Sequence, residues 1–321
     1  MVDTVLCERA IPSRGEDLFP CHDIGPRGRA PRLALVADLH GNELNGMFVL
    51  SRLAAFLRSV GTGEQSGLRL RERVVIVPTI NTLESRGAGS AKPRASIGYR
   101  RSLWAAATVA LLALTRSAYY RVDIHQASLD IEEMPQVRLY APSDDERATA
   151  CLFGLPAVIE QPKEQGVAPG LTKVWRQQGG EIFSIHAGQS GSLQTGHCER
   201  LFTALVSFLD RAGIVDGLRP TDQEEDLHYF GSRQIRLVRA EQPGIFASNL
   251  DVGRWVRGGE QLGQIYDSFT GGVRARVLAP VGGLLASLRR QPLLAKGELL
   301  ARILVPDSEA RRETPAIRSA A

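Results

Sequence analysis

The residues best suited to chemistry lie in Asp38-Leu39-His40-Gly41-Asn42-Glu43, where a short apolar run (LALVA, Leu33 to Ala37) gives way to a helical pattern. At a strand-to-helix turn, an imidazole and a carboxylate spaced H-x-x-E can point to one spot above a sheet edge. Open α/β sheets bind their ligands at that edge. His40 and Glu43 therefore suit Zn²⁺, which takes N and O donors and needs about two more ligands, one of them usually water in a catalytic site. Gly41 allows a tight backbone. Alone the spacing is weakly specific, and a helix-start carboxylate beside a capping histidine reads equally well. Asp123-Ile124-His125 ends a second strand-like run, so His125 is expected at the same edge, with Asp123 or Asp38 orienting an imidazole.

Such a site needs alternating strands and helices to position it. The apolar spacing predicts a helix over Glu43 to Val60 and a buried strand over Val74 to Pro78. Asn81 to Ser96 reads as a long surface loop of the kind that carries function. An apolar helix over Ser102 to Ser117 follows, then strands at Arg121 to His125 and Val137 to Tyr140. A short helix at Glu146 to Gly154, strands at Ala157 to Glu160 and Glu181 to His186, and a long helix from about Gly196 to Ala212 complete the alternation. The pattern predicts a mixed α/β sheet sandwiched by helices. From Gln234 onward only short β-like runs remain, punctuated by glycine pairs, which predicts a small all-β domain. The expected division is a catalytic domain at 1–228, a β-domain at 229–306 and a loose tail at 307–321.

Composition narrows the functions. The 321 residues are 43% hydrophobic and 23% charged, ample for a core and unlike a disordered chain. The net charge of +4 is small and its arginines are scattered, which argues against nucleic acid. Leu103 to Thr115 is too short to cross a bilayer, so no membrane partner is expected. The four cysteines (Cys7, Cys21, Cys151, Cys198) are far apart, which fits reduced thiols. The first residues lack a secretory pattern, so a cytoplasmic setting is expected.

The run LALVADLHGNELNG resembles the first metal motif of the succinylglutamate desuccinylase/aspartoacylase family, a branch of the zinc carboxypeptidase superfamily. The resemblance covers most of residues 30–305, and Gly244 to Leu304 resembles the C-terminal β-domain of a deacylase-like subgroup. It implies one zinc held by His40, Glu43 and His125, and hydrolysis of the amide of a small N-acyl amino acid or amine. A glutamate on a later strand would move the proton, and arginines would hold the substrate carboxylate and the developing oxyanion.

This sequence departs from that pattern. The glutamate position, in Ser184-Ile185-His186-Ala187-Gly188, holds His186. Histidine can be a general base near neutral pH; it could also be a fourth metal ligand or a remnant in a dead site. Glu181 and Glu160 are fallback carboxylates that read more simply as solvated charges. Arg86 is a plausible first substrate arginine. In Ile97-Gly98-Tyr99-Arg100-Arg101, Arg100 matches the second, while Tyr99 replaces the asparagine that grips the carboxylate. Either arginine could instead be surface charge. Gly188 to His197 could line the pocket. Glu132 and Glu133 could border the pocket but read more simply as a solvated loop, and His197 and His22 as ordinary surface or capping histidines. The β-domain resembles the barrel-sandwich hybrids of biotinyl and lipoyl carriers, but Arg289-Arg290-Gln291-Pro292 has no lysine where a carrier bears its cofactor, so a structural or pocket-shielding role is expected. The expected partner is a small acyl-amide substrate, and a homo-oligomer is compatible with the sequence. The competing readings are a diverged or non-catalytic metal-binding homologue and a metallocarboxypeptidase.

Overall fold

A computed structural model describes residues 19, 21–39, 41–80, 107–161, 170–218 and 227–306. Its centre is a set of parallel strands: β2 (Leu33–Ala37), β4 (Val74–Val77), β5 (Tyr120–Ala127) and β8 (Glu181–Gln189). β2 and β4 are apolar and buried throughout, as strands covered on both faces must be. β1 (His22–Ile24) pairs antiparallel with β4 at one edge. On the other side β6 (Ile131–Tyr140) runs antiparallel to β8 and pairs with β7 (Ala157–Gln161), making the sheet mixed.

Helices cover both faces. α1 (Leu44–Thr62) and α5 (Thr195–Arg211) pack on one, where Leu33, Leu35, Leu53 and Phe208 join a buried core. α2, whose described part is residues 107–115, and α4 (Gly170–Gln177) pack on the other against Val36, Val77 and Ile182. α4 had no counterpart among the elements expected from sequence; its start adjoins residues 162–169, outside the described set. α3 (Asp144–Ala150) carries a capping box between Ser143 and Glu146. α1 approaches the sheet closely at Gly46, where a Cβ would lie 2.9 Å from the Ala37 Cβ and 3.1 Å from Ile124 Cγ2. Buried Arg121 ties the second helix layer together. Its Nε donates to the Thr115 carbonyl at 3.0 Å and its Nη1 to the Trp175 carbonyl at 3.3 Å, adding a second donor to carbonyls at two helix ends.

The C-terminal strands continue this sheet. β16 (Gly283–Arg289) pairs antiparallel with β6, setting Ser287 opposite Glu133, and β18 (Leu299–Leu304) and β11 (Ile235–Arg239) extend it outward. A second, four-stranded sheet of β12 (Gly244–Ala247), β14 (Gln261–Tyr266), β15 (Val273–Leu278) and β17 (Leu293–Leu294) packs on it around Phe246, Ile265 and Leu285. Among the described residues no helix is long and apolar enough to cross a membrane.

Candidate active site

The site lies where the parallel strands end. Asp38 follows β2 with φ +49°, a left-handed conformation that non-glycine residues adopt at some cost. Its carboxylate organises the turn: Oδ1 accepts the Glu43 backbone N–H at 3.0 Å, and Oδ2 accepts the Thr79 hydroxyl at 2.7 Å. The turn thus delivers Glu43, 2% exposed, to the start of α1. His40, within the same turn, is outside the described residues.

His125 meets Glu43 directly. Its Nδ1 lies 3.0 Å from Glu43 Oε1, and its Nε2 lies 3.0 Å from Asp123 Oδ2. The Thr172 hydroxyl of α4 also donates to Asp123, at 3.3 Å. Burial alone would depress the His125 pKa, but the two carboxylates outweigh it and raise it to about 10. Asp123 is held below its usual range: burial opposes this, and the His125 charge and hydrogen bond overcome it.

This donor set fits zinc. An imidazole nitrogen and a carboxylate oxygen 3.0 Å apart can share one ion, and Asp123 on the far nitrogen is the partner that fixes a ligating histidine. Glu43 and His125 are two of the three residues that the sequence assigned to the metal. Among the described residues no group of three His, Cys, Asp or Glu side chains is arranged to hold a metal.

His186 stands beside this pair, directly opposite His125 in the β5–β8 register, with ring centroids 5.3 Å apart. Its Nδ1 is 3.5 Å from Glu133 Oε2, and its Nε2 is 3.4 Å from the Ser184 hydroxyl. Burial first, then the charge of Arg138, push its pKa down to about 4. Glu133 itself is held well below the carboxylate range: burial opposes this, and Arg138, His186 and Arg302 overcome it.

A second cluster flanks the first. Glu132 Oε1 accepts from Gln194 Nε2 at 2.9 Å and lies 2.7 Å from His197 Nε2, while its Oε2 accepts from Arg290. Gln194 also accepts the Gln189 N–H at 2.7 Å and donates its own N–H to Asn45 of α1 at 2.8 Å. Of the two readings of Glu132 and Glu133, the solvated loop is corrected: both lie in β6, 9% and 2% exposed, and each pairs with a C-terminal arginine, Arg290 just after β16 and Arg302 in β18. His197, expected at the surface, is a paired member of this cluster. Sequence reading missed this cluster because the arginines that stabilise two consecutive buried acids are remote in the chain. Those arginines lie about 160 residues away, at Arg290 and Arg302, and no local pattern links them.

Arg86, Tyr99 and Arg100 lie outside the described residues. Glu181 and Glu160 have other work: Glu181 accepts from the Tyr119 hydroxyl at 2.8 Å, and Glu160 binds Arg147 and the Tyr229 hydroxyl.

No family model matches the chain. Its fold is shared with solved structures of succinylglutamate desuccinylase/aspartoacylase proteins. One, from Rhodobacter sphaeroides, is 19% identical with a TM-score of 0.67 over 89% of each chain. Another, an aspartoacylase family protein from Mesorhizobium loti, is 20% identical with a TM-score of 0.63 over 90% of this chain and 89% of its own. The fold resemblance expected from the sequence is thus present. The ectoine utilization protein EutE (DoeB) from Ruegeria pomeroyi also shares it, at 20% identity and a TM-score of 0.65 over 90% of this chain and 89% of that one. Among curated proteins, the N-alpha-acetyl-L-2,4-diaminobutyric acid deacetylase of Halomonas elongata is 23% identical over 291 residues, covering 86% of this chain and 82% of the relative.

Proposed function

We propose that this chain is a zinc-dependent hydrolase that cleaves the amide bond of a small N-acyl amino acid or amine. The observation that carries the reading is the contact between Glu43 Oε1 and His125 Nδ1, 3.0 Å apart at the end of the parallel strands, with Asp123 on the other imidazole nitrogen. Glu43, His125 and, from the resemblance, His40 would hold the metal. Zinc bound there would polarise the amide carbonyl and make water a better nucleophile near neutral pH. With the metal bound and the Nδ1 proton gone, Asp123 would fix the His125 ring so that Nδ1 presents its lone pair. His186, neutral and 5.3 Å from His125 between ring centroids, is the group available to accept a proton. Arg86 and Arg100 would bind the substrate carboxylate and steady the developing oxyanion, with Tyr99 adding a hydrogen bond.

The curated relative deacetylates N-alpha-acetyl-L-2,4-diaminobutyric acid, which makes an N-acetylated diamino acid the first substrate to try. The thiols of Cys151 and Cys198 are free, which suits the reducing cytoplasm that this reading assumes. A second reading, a metal-binding protein with little or no hydrolysis, is favoured by one observation: the His186 pKa of about 4 makes it a weak base at the position where the resemblance implies a glutamate. Assaying release of free amine from a panel of N-acyl amino acids, with and without a chelator, separates the two.

A further inference from the structure

Glu133 reaches His186 only because β6 is bulged. Glu133 pairs with Gly188 and Gln136 with His186, so three residues of β6 span two of β8. The extra residue falls at Met134-Pro135, and proline suits a bulge because it has no N–H for the ladder. Strict alternation from Gln136 would put Met134 on the His186 face; the bulge puts Glu133 there. Glu133 Oε1 accepts from Arg138 Nη2 at 2.5 Å and from Arg302 Nη1, in β18, at 2.7 Å. Two guanidinium groups keep the carboxylate ionised, and an ionised carboxylate can only accept. Nδ1 of His186 lies 3.5 Å from Oε2, an ion-pair distance rather than a formed hydrogen bond. Oε2 has no hydrogen-bond partner among the described residues, so a hydrogen on Nδ1 is favoured over a lone pair facing the carboxylate. Nε2, beside the Ser184 hydroxyl, is left with the lone pair.

We propose that Glu133 is a positioning residue that holds His186 in its Nδ1–H tautomer, and that Arg302 of the C-terminal strands holds Glu133 in place. Its catalytic meaning rests on the hydrolase reading above, while the tautomer itself does not. The sequence position vacated by a glutamate on β8 is thereby served by a histidine–glutamate pair spanning β8 and β6.

The test is imidazole ¹⁵N NMR on the full chain, with His186 assigned by comparison with His186→Gln. The wild-type protein is expected to show the Nδ1–H pattern, and an Nε2–H pattern overturns the proposal without any further variant. In Glu133→Gln the carboxamide can donate as well as accept, so the tautomer preference should relax, and an unchanged pattern also overturns it. With N-acetyl-L-2,4-diaminobutyrate as probe, Glu133→Gln should lower kcat about 10- to 100-fold with KM nearly unchanged. Arg302→Ala should show the same effect more weakly and Arg302→Lys should restore it; wild-type spectra and kcat in Arg302→Ala would remove the arginine from the account. If wild-type protein hydrolyses nothing in the panel, the functional reading fails while the spectra still decide the tautomer.

Discussion

His125 and His186 face each other across adjacent parallel strands, 5.3 Å between ring centroids, yet their surroundings drive them to opposite charge states. His125 lies between two carboxylates, Asp123 and Glu43, and its pKa rises to about 10. Burial and Arg138 bring His186 down to about 4. Near neutral pH the metal-free pair is one imidazolium beside one neutral imidazole, which is how two like groups can share a small buried site.

The stability of the metal-free chain should depend on pH in two separate windows. The His125 pKa is raised, so its contribution is fully present below the unfolded value of 6.5 and is lost as pH rises toward about 10. The His186 pKa is depressed, so the unfolded chain binds the extra proton and stability falls as pH drops from 6.5 toward about 4, by on the order of 3 kcal/mol. Glu133, held low, adds a further loss once pH falls below its unfolded value of 4.5. Denaturant titrations across this range should show His186→Gln flattening the slope between pH 6.5 and 4.5 and leaving the alkaline limb alone. Equal slopes in the two proteins would contradict the assignment.

Asp123→Asn should weaken zinc binding about 10- to 100-fold, because the amide no longer fixes the proton on Nε2 of His125 and the lone pair on Nδ1. Competition with a metal-sensitive dye reads this directly. The same measurement at two pH values should show zinc binding weaken about tenfold per unit of acidification, since the His125 proton must leave. Zinc affinity that ignores both changes would place the metal elsewhere.

Gly46→Ala should destabilise the chain by roughly 1–3 kcal/mol and weaken zinc binding with it. The new methyl would meet Ala37 on β2 and Ile124 on β5, pushing α1 outward and Glu43 away from His125. Denaturation midpoint and zinc affinity should move together.

The scaffold could be read from sequence wherever apolar residues dominate locally. LALVA at β2 was predicted to the residue, and α1, β4, β5, β8 and α5 to within a few positions. Glu43 was legible from its H-x-x-E spacing after a buried strand, His125 because Asp-Ile-His ends a second one, and His186 from the position that the family resemblance assigns to a glutamate. Glu133 was not legible, because its face depends on the bulge at Met134-Pro135 and its charge partners come from strands far along the chain. Local periodicity carries neither. α4 begins beside residues outside the described set, and its eight residues offer only Leu171, Val174 and Trp175 as apolar signal.

The account stands most directly on zinc content measured together with hydrolysis. Purified full-length protein should contain stoichiometric zinc and release free amine from N-acetyl-L-2,4-diaminobutyrate or a related N-acyl amino acid. A chelator should abolish the reaction, added zinc should restore it, and His125→Gln should lose both metal and activity. Zinc retained in full by His125→Gln, or hydrolysis indifferent to the chelator, would contradict the central claim.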